Sequence, residues 1–241
     1  MDDDTQSKVT LRPRSKLERL VEVLSGSHAV PGRPGLGLLT QLAILQLVGA
    51  GADARGALAA IGPLCDDEGG VDAAKLASTP RELVAAICDG ALVDETLASL
   101  RVAGTVAREG NLDDRCRPDL DLARKLLRTL PSVTEQRADL LLLYAAVQAV
   151  VAPTAFGARV LARIGYPGVT YAALARAVDE ELPGPSAYDF AWRAHHVLDQ
   201  HGRTFCGPKT PECWRCPVQE ACAFRGIGED PAARLVGRSE G

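Results

Sequence analysis

The chain has 241 residues, a net charge of −4 and 46% hydrophobic residues, enough length and apolar content for a sizeable core in one large domain or two lobes. No apolar run reaches the ~18 residues of a membrane span, and the acidic opening MDDDTQSKVT does not have the form of a signal peptide, so a cytoplasmic protein with no membrane partner is expected. Seven cysteines, an odd number with four crowded together, argue against a secreted disulfide framework, and an acidic balance with only five lysines lowers the expectation of strong non-specific DNA binding.

Residues 1–14 read as a polar flexible tail. Ser15-Lys-Leu-Glu18 is a capping-box pattern, and Leu17, Leu20, Val21 and Leu24 then form one apolar face that stops at Gly26. Residues 27–36 are a Pro/Gly linker. A very apolar helix is expected over Leu38–Val48, ended by Gly49-Ala50-Gly51, and another over Asp53–Ile61. Ser78-Thr79-Pro80 starts a helix that carries Leu83, Val84 and Ile87. Further helices are expected at Val93–Arg108 and after Pro118, then a hairpin at Leu130–Thr134 and an apolar helix over Arg137–Val151. The last third reads as helices near Phe156–Ile164, Tyr171–Glu181 and Ser186–Gln200. No strand alternation and no solenoid period is present, so the fold class is all-α.

Cys206, Cys213, Cys216 and Cys222 follow that last helix with spacing C-x6-C-x2-C-x5-C. Four soft thiolates within seventeen residues point to one metal centre. The spacing is neither that of ferredoxins nor that of a zinc ribbon with two separated C-x2-C knuckles. Cys65, Cys88 and Cys116 are scattered and read as buried or half-buried thiols. Packing and hydrogen bonding are expected of His195, His196 and His201, since four thiolates already close a site. Trp192 and Trp214 read as packing residues.

The cysteine spacing, together with His195-His196-x-Leu198-x-x-His201-Gly202-Arg203 before it, resembles the cluster loop of the endonuclease III branch of the helix-hairpin-helix DNA glycosylases. The resemblance implies a two-lobed helical fold. A six-helix barrel lobe would span 37–150, and a cluster lobe would combine 15–36 with 151–228, leaving 229–241 as a flexible tail. It implies a 4Fe-4S cluster on the four cysteines; structural zinc is the alternative for the same ligands. It implies duplex DNA as the partner of a monomer, contacted by Leu130, Pro131, Ser132, Val133, Thr134 and Arg137 of the hairpin and by Arg203 and Lys209 near the cluster. A nucleoid-associated location would follow from DNA binding, and a protein partner remains open.

The same resemblance marks two departures. The family hairpin reads L-P-G-V-G with a lysine two residues on, and an aspartate eighteen residues after the lysine. Here Ser132 and Thr134 replace the glycines, Gln136 stands at the lysine position and Thr154 at the aspartate position. Arg159-Val160 matches the family's Arg-Val pair five residues later, which fixes the register. Gln136 has no amine for a Schiff base, and Thr154 has no charge to offset a cationic sugar. Thr134, at a glycine position of positive φ, is expected to be strained. Asp139, one helical turn after Gln136, is the substitute carboxylate to weigh. The family's polar wedge loop corresponds to Leu45–Gly51, where Gln46 is the polar residue left. Three functions stay open: a DNA-binding repair protein without the ordinary glycosylase and lyase chemistry, an active atypical glycosylase, and a metal-stapled helical protein that does not bind DNA.

Overall fold

The computed structural model of the chain describes residues 13–184, 187–226 and 228–235. Most of the two expected tails, residues 1–12 and 236–241, lies outside them, as does Ser186. Twelve α-helices run through the described residues: α1 (Lys16–Ser25), α2 (Leu38–Gly49), α3 (Ala54–Ile61), α4 (Ala73–Ala77), α5 (Arg81–Ala85), α6 (Val93–Ala107), α7 (Leu112–Cys116), α8 (Leu120–Leu127), α9 (Glu135–Tyr144), α10 (Ala155–Ile164), α11 (Tyr171–Asp179) and α12 (Tyr188–Thr204). No strand is present among the described residues, only a single bridge between Cys65 and Val71, so the all-α expectation holds.

Local chemistry sets the helix starts. Ser15 and Glu18 form the full capping box of α1, and Leu17, Leu20, Val21 and Leu24 are buried against α12. Each such side chain contributes about 1.5–3 kcal/mol on full burial. Asp53, Asp72, Asn111 and Asp119 cap α3, α4, α7 and α8 with their side chains. Gly37 has no side chain to cap α2, and the Asp113 carboxyl of α7 accepts from Leu38 N at 3.1 Å instead. Helix α2 is apolar nearly all round because it touches α3, α6, α7 and α9. Its buried polar residues tie down other segments: Thr40 Oγ1 accepts from Val71 N at 3.0 Å, and Gln46 Nε2 donates to Pro131 O at 3.0 Å.

Helices α2 to α9 pack mainly on one another, α10 packs on α12 and α11, and α1 packs on α12; α9 also meets α11 and α12. A single continuous core joins them. A close crossing lies at Gly202 of α12, where an added Cβ would sit 2.5 Å from Phe156 O. Only a glycine lets these two backbones approach that far.

Three expectations need correction. Helix α9 ends at Tyr144 rather than Val151, because Ala146 adopts a left-handed φ of 54° and the chain then runs extended to Pro153. The two short helices α4 and α7, five residues each, were not anticipated, since so few residues carry no readable period. Residues 229–235 are not a free tail: Asp230 pairs with Arg163, and a 3-10 turn at Pro231–Arg234 buries Ala232 against α10.

Candidate nucleic-acid interface and cysteine centre

The hairpin lies between α8 and α9. Ser132 takes the left-handed conformation, φ 60°, in the place where the resembled family has glycine. Thr134 does not: its φ is −75° and ψ 170°, and its hydroxyl accepts from Arg137 N at 3.2 Å as the N-cap of α9. The strain expected at Thr134 is therefore absent, because an N-cap needs extended backbone that any residue adopts. Arg137 Nη1 donates to Ser132 O at 2.8 Å, and Pro131 O accepts from both Gln46 and Ser99. Gln46 is thereby a buried brace for the hairpin rather than an exposed wedge. Leu130 and Val133 are buried and frame the turn, while Ser132 and Thr134 are exposed.

Gln136 is half-buried in the first turn of α9 and reaches the start of α10. Its Nε2 donates to Pro153 O at 2.8 Å. The next residue, Thr154, caps α10: its hydroxyl accepts from Gly157 N at 3.2 Å and donates to Asp199 Oδ1 at 2.5 Å. Asp199 projects from α12 and also accepts from Arg203 Nε at 2.7 Å. Burial alone would raise the Asp199 carboxyl, but the hydrogen bonds from Arg203 and Thr154 outweigh it and hold it below the usual carboxylate range. Arg203 stacks over the Phe156 ring at 3.9 Å.

Beside Asp199 stands an aromatic cluster. His195 Nδ1 is 2.7 Å from Ala152 O, its Nε2 is 3.5 Å from Tyr144 OH, and Trp192 and His196 pack edge-on with ring centroids 4.3 Å apart. Burial pushes His195 down, and burial with the neighbouring His195 pushes His196 down to about 4. Burial, then the charge of Asp199, raises the Tyr144 phenol. Tyr144 also lines an open cavity of about 240 Å³ between α2 and α9, together with Gln41, Ile44, Val48 and Leu140. Gln41 Nε2 and His196 Nε2 are buried without a hydrogen-bond partner among the described residues.

Asp139 is elsewhere. It is fully buried, accepts two hydrogen bonds from Arg124 at 2.6 and 3.1 Å, and takes a third from Tyr171 OH at 2.7 Å. Arg124 also binds Asp179, which accepts from Val151 N. Burial raises Asp179 to about 6, with the like charge of Asp139 adding to it against the hydrogen bonds from Val151 and Arg124. This network ties α8, α9 and α11 together and leaves Asp139 no face for a substrate.

The cysteine loop is organised by α10. Arg159 donates to Cys206 O and Gly202 O, both at 2.7 Å. Arg163, one turn on and 1% exposed, donates to Gly207 O at 2.7 Å, to Cys206 Sγ at 3.2 Å and to both oxygens of Asp230. The four cysteines line one small cavity with Arg163 and His201. Burial raises Cys216, and burial together with the nearby thiols raises Cys222 to about 11. His201 Nε2 lies 3.5 Å from Cys216 Sγ, and its Nδ1 lies 3.4 Å from His28 Nε2. Among the described residues, no three His, Cys, Asp or Glu side chains are gathered closely enough to hold a metal ion as they stand. Lys209 is exposed, and Trp214, expected to pack, is 79% exposed. The scattered cysteines follow expectation: Cys116 is buried, Cys65 and Cys88 half-buried.

Two residues of this region were missed in the sequence. Arg163 was signalled by a second arginine four positions after Arg159 on an otherwise apolar helix face. Asp199 gave no local signal, since only the fold brings position 199 to position 154.

No protein-family model matches the chain, and no curated protein matches its sequence. Among solved structures, the chain is similar to a trapped endonuclease III–DNA covalent intermediate in an estranged-adenine complex, with 16% identity and a TM-score of 0.58 over 90% of this chain and 98% of that one. A non-covalent endonuclease III–DNA complex matches with the same 16% identity, 0.58 TM-score and 90% and 98% coverage. The fold of the chain is therefore endonuclease III-like.

Proposed function

We propose that this chain is a DNA-repair protein that binds duplex DNA and has lost the ordinary glycosylase and lyase chemistry of the family it resembles. The observation that carries the loss is the pair of residues at the family's catalytic positions: Gln136, its amide donated to Pro153 O at 2.8 Å, cannot form a Schiff base, and Thr154, which caps α10, has no charge to offset a cationic sugar. The duplex would lie across the cleft between a barrel lobe, 37–150, and a cluster lobe of 15–36 with 151–228. It would meet the exposed hairpin at Ser132 and Thr134, with Arg137, Arg203 and Lys209 supplying positive charge. Support for DNA as the partner comes from the solved neighbours, both of which are DNA complexes.

The loop of Cys206, Cys213, Cys216 and Cys222 would hold a 4Fe-4S cluster. The donor set fits: four soft thiols around one cavity, with the Arg163 guanidinium 3.2 Å from Cys206 Sγ to balance thiolate charge. The cluster would supply a covalent staple for a seventeen-residue loop; zinc is the alternative metal for the same ligands. The protein would work as a cytoplasmic, nucleoid-associated monomer.

Salt-dependent binding to a short duplex tests the DNA reading. Log affinity should fall linearly with log salt as phosphate contacts are screened; no affinity even at low salt would leave the metal-stapled interaction protein as the better account. A second reading, an active glycosylase of atypical chemistry, is favoured by the Asp199 carboxyl 2.5 Å from Thr154 Oγ1.

A further inference from the structure

We infer that the turn at Pro231–Arg234 is a clamp, closed by Asp230 on Arg163, that sets how long the cysteine centre keeps its metal. The inference rests on the reading of the four cysteines as a metal centre and goes beyond it by naming a residue outside that set on which retention depends.

The two ends of the cysteine loop meet at one residue of α10. At the first end, the Arg163 guanidinium donates to Cys206 Sγ at 3.2 Å and to the carbonyls of Gly207 at 2.7 Å and Pro208 at 3.2 Å. At the last end, the Arg163 carbonyl accepts from Phe224 N at 3.0 Å and lies 3.3 Å from Cys222 Sγ, and the guanidinium stands over the Phe224 ring at 4.9 Å. The first and last of the four cysteines are thus anchored on the same residue.

An arginine side chain has many rotamers, and holding one geometry costs entropy. Asp230 fixes that geometry. Its Oδ1 accepts from Arg163 Nε at 3.0 Å and its Oδ2 from Nη2 at 2.6 Å, a planar two-point contact that sets orientation as well as position. Arg163 is 1% exposed, so water does not compete for this contact from the arginine side. Asp230 is itself held: Oδ1 also accepts from Ala232 N at 2.9 Å, and Ala232 is fully buried where the turn packs on α10. Between the last cysteine and the turn, Gly226 passes close to a third ligand. Its φ is 80°, and an added Cβ would sit 3.2 Å from Cys213 Sγ. Asp230 is therefore a positioning residue that acts through Arg163. A metal leaves when its thiolates swing away, and two ends that share one anchor separate only when the anchor opens locally.

The test begins with the iron and zinc content of the full chain purified without oxygen. Release is then followed in excess bathophenanthroline for iron or pyridylazoresorcinol for zinc. In parallel, thiols are labelled with iodoacetamide and read cysteine by cysteine by mass spectrometry. Asp230→Asn, which removes the charge and one acceptor, should speed release by about 10–100-fold, and Asp230→Glu, which keeps the carboxylate, should stay near wild type. Ala232→Glu leaves both partners of the pair in place but forces a charge into the buried turn, and should speed release as Asp230→Asn does. In both fast variants the labelling of Cys206 and Cys222 should rise, while Cys116, fully buried in α7, should label as in wild type. Faster labelling of Cys116 along with the loop cysteines is the mark of general loosening and would overturn the inference. A chain that carries metal but releases it at one rate in every variant sinks this inference alone; a chain purified with neither iron nor zinc sinks the metal reading with it.

Discussion

Replacing Asp139 by Asn tests whether this carboxyl is structural, as its contacts indicate. The side chain is fully buried and receives two hydrogen bonds from Arg124 and one from Tyr171. Asparagine retains one acceptor oxygen, enough for Tyr171 or for one arm of Arg124. Its NH₂ group then points a donor at a guanidinium that has only donors. Removing one partner of a buried ion pair costs about 3–5 kcal/mol. Arg124 keeps Asp179 at 2.7 Å, so the lower end, about 3 kcal/mol, applies here. That is a large share of the ~5–15 kcal/mol that stabilises a typical domain, and in a chain of this size it lowers Tm by about 6–12 °C. Urea titration followed by circular dichroism measures it. A double-mutant cycle with Arg124→Gln should return a coupling of about 1–3 kcal/mol. Stability within ~0.5 kcal/mol of wild type for Asp139→Asn would refute the reasoning, as would a folded variant that had lost DNA binding.

Other consequences follow from the same contacts. Arg163→Met removes the guanidinium that bonds Asp230 and the carbonyls of Gly207 and Pro208, and should speed proteolysis between residues 207 and 222 and lower the bound iron per chain; unchanged iron and cleavage rate would contradict the role given to Arg163. Ser132→Gly relieves a φ of 60° and should be neutral to stabilising by up to ~1 kcal/mol, whereas Thr134→Ala removes a helix cap and should cost about 1 kcal/mol; the reverse ranking in urea would show the hairpin to be built differently. His196 is pushed down to about 4 from an ordinary 6.5. Between those values the unfolded chain binds more protons than the folded one, so this group withdraws about 1–3 kcal/mol of stability as pH falls from 6.5 to 4. His196→Asn should flatten the stability–pH curve across that window, and an unchanged slope would argue against the assignment.

The fold was readable wherever a chemical requirement is local. The capping box at Ser15 and Glu18, the apolar face of α1 and the apolar α2 are all visible as short-range patterns, and each appears where expected. The end of α9 was not visible, because Leu140–Val147 is a continuous apolar run and no Gly or Pro marks the left-handed turn at Ala146. At the hairpin the sequence correctly identified an altered turn but placed the strain on Thr134 instead of Ser132, since spacing alone does not tell a turn position from an N-cap. The cleft was least legible. Gln136 and Thr154 could be found by counting residues, but the carboxylate beside them comes from α12, forty-five residues after Thr154. Asp139 looked better placed than Asp199 because helical spacing was the only geometry at hand, and Arg124 and Tyr171 had already claimed it.

The loss of amine chemistry at Gln136 is the centre of the account, and borohydride trapping on a duplex with one abasic site tests it most directly. Wild type should bind the duplex and give no trapped covalent adduct, while Gln136→Lys, which puts an amine beside Pro153, should give one. A wild-type adduct on that duplex would contradict the account.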